Sequence, residues 1–190
     1  MYYFLIAQLP YLSYGQTPPV KSTAFLELCR EHLSRRHFEL LRYCVCGMPE
    51  GAETFCAADS AFIDEWRKRE RSLAFYMARL RASILKREGA PSAYEQAEWD
   101  PDAENMAKTA VSMDNPLEAE LFLDKGRWNY IENLQKNTYF GVNAVYAYML
   151  KLTLIERRAA FNTEEGFAEY KTLYDSIMEN APGVGATGDI

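Results

Sequence analysis

An aspartate-proline pair and an asparagine-proline pair mark two helix starts in this sequence. At Asp100-Pro101 and at Asn115-Pro116, a residue with a side-chain oxygen precedes a proline and then a run of apolar residues. The oxygen can accept hydrogen bonds from the free N–H groups of a first helical turn, where proline has no N–H to leave unsatisfied. The two pairs therefore predict helices that begin at Pro101 and Pro116, and they favour an α-helical fold.

Apolar residues recur at intervals of three or four along most of the chain. Residues 60–88 keep this period with no interior Gly or Pro, which predicts the longest helix. Residues 140–160 are apolar on more than one side, so we expect a central core helix there. The longest apolar run, residues 139–155, is interrupted by Asn143 and Lys151 and is shorter than the ~20 apolar residues that a bilayer span needs. Shorter helices are predicted over residues 23–33, 35–44, 93–98, 102–113, 117–136 and 163–179.

The N-terminal residues break this helical pattern. Residues 2–6 are aromatic and β-branched, which favours an extended segment, although no second strand is evident to pair with it. Ser22 and Asp59 are further candidate helix caps, and residues 11–19 and 47–58 have loop composition. We expect an all-α, multi-helix bundle with one short N-terminal extended segment. Residues 1–181 would form a single domain, and residues 182–190 a flexible tail.

The composition and net charge fit a folded protein and argue against a nucleic-acid-binding or secreted one. Of 190 residues, 48% are hydrophobic, which is ample for a buried core. The net charge of −6 argues against nucleic-acid binding, which depends on a basic surface. The N-terminus lacks the basic residues of a secretory signal, so we expect a cytoplasmic protein.

Charge is distributed unevenly along the middle of the chain. Residues 67–87 are strongly basic, whereas residues 88–124 are acidic with only Lys108 opposing. Such segments can pair with each other, bind charged protein partners, or form two solvated helix faces, and solvated faces are the commonest outcome. The sequence leaves these three interpretations open.

Thiols and imidazoles are the side chains best suited to a metal site or to nucleophilic catalysis. Cys29 and His32 share a helix face, and Cys44 and Cys46 offer a second pair. However, these residues lie in apolar helical patterns, where cysteine usually behaves as a small hydrophobic residue. We therefore expect core thiols, with no catalytic residues, no metal and no cofactor. A zinc-binding protein or a small-molecule enzyme that uses these residues stays an alternative.

One arginine is difficult to place on a solvated helix face. Arg79 lies three residues after Tyr76 and next to Leu80, close to the face that the periodicity predicts to be buried. A buried guanidinium needs a carboxylate, because an unpaired charge in a core is costly. The sequence offers three candidate partners for Arg79, which are Glu118, Glu120 and Asp124.

Five segments resemble an uncharacterised bacterial family, the DUF2764-like proteins, typically encoded among the subunits of V-type ATPases. These segments are residues 2–10 (YYFLIAQLP), 76–82 (YMARLRA), 115–128 (NPLEAELFLDKGRW), 147–157 (AYMLKLTLIER) and 165–170 (EGFAEY). The same segments are distantly similar to the helical C (or d) subunit of V/A-type ATPases, which seats the central stalk on the membrane rotor. The resemblance implies a helical protein with a coupling or assembly role and no catalysis of its own.

The resemblance also implies partners. We expect a noncatalytic V-type ATPase subunit or assembly factor that contacts central-stalk or rotor subunits, at the cytoplasmic face of the membrane. A helical scaffold with an unrelated protein partner is a further alternative. Charged side chains would bind the partners or form structural ion pairs, and the candidates are Arg79, Arg81, Glu118, Glu120 and Arg127.

Overall fold

A computed structural model describes residues 2–46, 60–86, 98–136, 138–161 and 163–180. Within these ranges the regular secondary structure consists of eight α-helices and includes no strand. This confirms the predicted all-α fold. The helices are α1 (Tyr3–Gln8), α2 (Ser22–His32), α3 (Arg35–Cys46), α4 (Ala61–Ile84), α5 (Pro101–Val111), α6 (Pro116–Gln135), α7 (Val142–Ala159) and α8 (Thr163–Asn180).

The two helix starts with proline form as the sequence predicts. The Asp100 carboxylate accepts hydrogen bonds from the backbone N–H groups of Asp102 and Ala103, at 3.1 and 3.0 Å. The Asn115 side chain accepts one from the N–H of Leu117 at 3.0 Å. Side-chain oxygens therefore satisfy N–H groups in the first turns of α5 and α6.

The prediction of an extended segment at residues 2–6 is wrong, because these residues form the start of helix α1. The Ile6 N–H donates to the carbonyl of Tyr2 at 3.0 Å, and Leu5 is buried in the core. With no strand beside it in the described chain, the segment satisfies its backbone groups within its own turn. Strand preference is weak compared with this requirement and with the burial of Leu5.

The start of α2 also differs from its prediction. Ser22 is the first helical residue, and the N-cap position belongs to Lys21, which makes no capping side-chain bond. The Ser22 N–H instead donates to the Glu156 carboxylate on α7 at 2.6 Å. A carboxylate from a distant helix therefore satisfies a first-turn N–H group and complements the positive end of α2.

The long helix ends earlier than its apolar pattern suggests. Helix α4 stops at Ile84, and Lys86 follows with a φ of 51°, a left-handed conformation that cannot continue the helix. The Ser60 hydroxyl caps its start by accepting from the N–H of Ile63. Several predictions fall outside the described residues, namely the Asp59 cap, the loop at 47–58, residues 93–97 of a predicted helix, and the tail at 182–190.

Among the described residues, helix α7 lies at the centre of the larger of two hydrophobic clusters. Its buried residues include Val145, Tyr146, Met149 and Leu152, which face in several directions around the helix. A smaller cluster forms where the second half of α4 packs against α5 and the first half of α6. Helices α4 and α6 contribute to both clusters, so they hold the two together.

Part of the uneven charge pattern is neutralised within the protein. Arg69 on α4 donates to the Asp100 carboxylate at 2.5 Å, and its guanidinium lies over the Tyr130 ring. Lys68 lies 3.6 Å from Glu98. The basic first half of α4 therefore pairs with the acidic segment that precedes α5. Pairing of the two charged segments with each other was one of the three interpretations that the sequence left open.

Candidate functional site

A fully buried carboxylate lies where α4, α6 and α7 meet. Asp124 on α6 has no solvent exposure, and its Oδ1 accepts a hydrogen bond from Arg127 Nη1 at 2.9 Å. Arg157 Nη2 on α7 lies 3.2 Å from the same oxygen. The second oxygen, Oδ2, is also buried and has no hydrogen-bond partner among the described residues. In this environment the Asp124 carboxylate can remain charged only if both guanidinium groups stay paired with it.

Both arginines extend the contact to a second carboxylate. Arg127 Nε donates to the two oxygens of Glu70 on α4, at 3.0 and 3.1 Å. Arg157 Nη2 donates to Glu120 Oε2 at 2.5 Å. We call these five residues the ion-pair cluster. The cluster joins three helices, and its outer members Glu120 and Arg157 reach solvent.

Burial and pairing affect the two central groups in different ways. Burial raises the pKa of Asp124 above its ordinary value, and the guanidinium groups of Arg157 and Arg127 oppose this only in part. For Arg127, burial acts to lower the pKa, but the carboxylates of Glu70 and Asp124 outweigh it and the pKa is raised. Desolvation therefore outweighs pairing at Asp124, whereas pairing outweighs desolvation at Arg127.

Asp124 and Asp100 are expected to give stability changes of opposite sign with pH. The raised pKa means that folded Asp124 binds more protons than the unfolded chain above its ordinary value of 3.8, so its contribution to stability falls as pH rises through this window. At Asp100 burial acts to raise the pKa, but hydrogen bonds from Ala103 and Arg69 outweigh it and the pKa is lowered. The contribution of Asp100 is therefore present above 3.8 and lost as pH falls through the lowered pKa.

The measurement is the difference in unfolding free energy between the parent protein and each asparagine variant, by urea denaturation over a pH series. Relative to Asp124→Asn, the parent should lose stability as pH rises from the acid range. Relative to Asp100→Asn, the parent should gain stability as pH rises over the same range. Two curves of the same sign would contradict the environment described here for Asp124.

Beside the ion-pair cluster, a groove of about 260 Å³ runs between α4 and α6. Its floor is apolar and includes Ala74, Met77 and Leu123, and its charged lining groups are Glu70, Arg81, Glu120 and Arg127. We call it the charged groove. Small side chains along α4 keep it open, while the charged groups give it both signs of charge.

The groove brings together three of the five charged residues predicted as sites, namely Arg81, Glu120 and Arg127. Arg127 is the one deepest in the ion-pair cluster. Glu118 is exposed on the first turn of α6 and does not line the groove. Whether these residues bind a partner stays a prediction.

The predicted burial of Arg79 is wrong, because its side chain is exposed. The buried face of α4 is set by Leu73, Tyr76 and Met77, and a position two residues beyond Met77 points about 200° away from it. Within the described residues Arg79 forms no ion pair with Glu118, Glu120 or Asp124. Two of those carboxylates are engaged by Arg127 and Arg157 instead.

Two members of the ion-pair cluster, Glu70 and Arg157, were missed by reasoning from the sequence. A signal existed for Glu70, since it is the one acid within the basic run of residues 67–71. A signal also existed for the burial of Asp124, which lies four residues before Trp128 and seven before Ile131 on the apolar face of α6. Arg157 gave no such signal, because its role depends on how α7 packs against α6.

The thiols and imidazoles in the described chain are dispersed. Cys29 is fully buried, and burial raises the pKa of its thiol to about 12, whereas His32 is exposed. His37 Nδ1 lies 2.5 Å from the Tyr2 hydroxyl. The described residues contain no group of three potential ligands that could hold a metal ion. The Cys46 side chain and Cys56 lie outside the described residues.

No helix in the described ranges has both the length and the apolar composition required to cross a bilayer. No curated protein and no solved structure matches the chain. A family model matches residues 103–181, which include most of α5 and all of α6, α7 and α8. Over this part the chain is similar to the family described as a protein of unknown function, DUF2764.

Proposed function

We propose that this chain is a noncatalytic subunit or assembly factor of a V-type rotary ATPase, which binds other subunits through its charged helices. The observation that carries the proposal is that two segments of the resemblance each lie against a third, residues 115–128. Residues 76–82 lie on α4, residues 115–128 reach along α6, and residues 147–157 lie on α7. Residues 76–82 and 115–128 both line the charged groove, and Arg157 of the third segment pairs with Glu120 and Asp124 of the second.

The charges at this surface suit a protein partner. Arg81 is exposed at the groove and has no ion pair with another described residue, so its guanidinium is available to a carboxylate. Glu120 and Arg157 are paired with each other but stay partly exposed. Charges at the edge of an interface mainly set orientation, partner choice and association rate. A coupling or assembly factor requires this kind of recognition, and central-stalk or rotor subunits at the cytoplasmic face are the proposed partners.

The test is affinity capture of the tagged protein at native abundance, from its own cells in mild detergent, followed by identification of the captured proteins. We expect enrichment of rotary-ATPase subunits. The Arg81→Glu variant should reduce that enrichment at least tenfold. The matched control is Arg30→Glu, an exposed arginine on α2 whose reversal should leave capture unchanged.

The outcomes separate the alternatives. Capture of the same non-ATPase protein by the parent and by Arg30→Glu, with no ATPase subunit present, would favour a scaffold with an unrelated partner and would refute the proposal. Equal enrichment of ATPase subunits by the parent and by Arg81→Glu would show that the protein binds these subunits but that the charged groove is not the binding surface.

A further inference from the structure

A second groove, separate from the charged groove, lies between the end of α6 and the first half of α7. The end of α1 and residues 9–12 complete its lining, and its volume is about 770 Å³. We call it the aromatic groove. Binding sites for small molecules commonly have volumes of about 300 to 1,000 Å³ and mostly apolar linings with a few polar groups. The aromatic groove therefore has the size of a small-molecule site.

Most of the lining of the aromatic groove is apolar, and much of it is aromatic. Leu12 and Ala144 are buried, whereas Tyr11, Tyr139 and Phe140 are each at least 60% exposed. Exposed rings at the edge of a groove offer flat surfaces on which another ring can stack or pack edge to face. A planar aromatic ligand would cover rings that solvent now contacts.

The lining of the aromatic groove carries no net charge. Its charged residues among the described part of the chain are Glu132 and Lys151, and Lys151 Nζ lies 3.4 Å from Glu132 Oε1. Burial raises the pKa of Tyr148, another lining residue, to about 12, so its phenol stays neutral at physiological pH. A charged ligand would lose hydration without meeting an unpaired opposite charge, so the groove favours an uncharged one.

The polar wall of the aromatic groove offers one acceptor and one donor side by side. Glu132 Oε1 accepts from Trp128 Nε1 at 3.0 Å, and Gln135 Oε1 accepts from Lys151 Nζ at 3.4 Å. Neither Glu132 Oε2 nor Gln135 Nε2 has a hydrogen-bond partner among the described residues. Glu132 and Gln135 are three positions apart on α6, so they lie on the same face of the helix, and both line the groove. Their free atoms match the N–H and C=O groups of a cyclic amide.

We propose that the aromatic groove binds an uncharged, planar aromatic molecule whose edge carries an N–H group next to a carbonyl. The ring packs against the exposed aromatic side chains, the N–H group donates to Glu132, and the carbonyl accepts from Gln135. Aromatic lactams are the simplest members of this class. The site uses different residues from the charged groove, so it stands apart from the proposed function.

The first test compares three probes by ligand-observed NMR titration of the full chain. Carbostyril is an uncharged bicyclic aromatic lactam, N-methylcarbostyril lacks its N–H donor, and naphthoate has a similar ring system with a negative charge. We expect carbostyril to bind, and the other two to bind more weakly by about fivefold or more, since each loses a hydrogen bond or brings an unpaired charge. Binding of N-methylcarbostyril or naphthoate as tight as that of carbostyril would overturn the proposal, as would no binding of carbostyril.

The second test locates the carbostyril site with three variants, each checked for helicity by circular dichroism. Gln135→Leu removes the amide and keeps a side chain of similar size, Phe140→Ala removes an exposed ring, and Ile84→Ala is the control at an exposed apolar residue of α4. We expect the first two variants to bind carbostyril more weakly by about fivefold or more, and the control to bind it as the parent does. Equal binding by the parent and all three variants would show that carbostyril binds elsewhere and would refute the proposed site.

Discussion

Replacing Arg127 by alanine is expected to lower the free energy of unfolding by about 3 to 5 kcal/mol, because the change leaves a buried carboxylate short of a partner. Arg127 is bonded to Asp124 and to Glu70, and its side chain is 15% exposed. Asp124 would retain only the longer contact to Arg157, with its second oxygen already without a partner. The measurement is urea denaturation at neutral pH.

Arg79→Ala is the matched control for this experiment. Arg79 is an arginine near the end of α4 with an exposed side chain and no ion pair among the described residues, so we expect a change within about 0.5 kcal/mol. Adding Asp124→Asn to Arg127→Ala should recover part of the loss, since it removes the charge that lost its partner. Equal effects of Arg127→Ala and Arg79→Ala would show that the ion-pair cluster does not contribute as described.

Removal of the buried indole at Trp128 is expected to cost about 3 to 5 kcal/mol of stability, the usual range for truncating a large aromatic core residue to alanine. Trp128 is 5% exposed in the larger hydrophobic cluster. Its Nε1 donates to Glu132 at 3.0 Å, the Lys151 ammonium lies over its ring, and Tyr14 packs 5.7 Å away. The alanine variant therefore loses a packed ring and these polar contacts together.

Trp99 provides the control of the same residue type. It is 79% exposed, so Trp99→Ala should change the unfolding free energy by no more than about 0.5 kcal/mol. Thermal and urea denaturation, both followed by circular dichroism, measure the two variants without relying on tryptophan fluorescence. A loss below about 1 kcal/mol for Trp128→Ala would contradict the burial of Trp128 in the larger hydrophobic cluster.

Features set by neighbouring residues could be predicted from the sequence. The caps at Asp100 and Asn115 involve residues two or three positions apart, and the apolar period of α7 reflects its own position in the core. The start of α2 could not be predicted in the same way, because its N–H group is satisfied by Glu156, far along the chain. Local patterns predict helices well and identify distant partners poorly.

The charged residues show the same limit. The sequence indicated that a guanidinium is buried against the carboxylates of α6, and this chemistry is present in the structure. It selected Arg79, whereas Arg127 and Arg157 fill the role. A difference of one or two positions on a helix turns a side chain from the core towards solvent, and the apolar spacing around Tyr76 did not resolve that difference.

The contact between Ser22 and Glu156 has a consequence for the order in which the chain acquires its structure during synthesis. The two residues are separated by 134 positions, so the ribosome makes α2 long before the carboxylate that completes its first turn. The Tyr14 hydroxyl likewise donates to the carbonyl of Leu121, which is synthesised 107 positions later. The N-terminal segment is thus translated first and reaches its final arrangement late, and a nascent chain that stalls before α7 exposes the apolar face of α2 to chaperones.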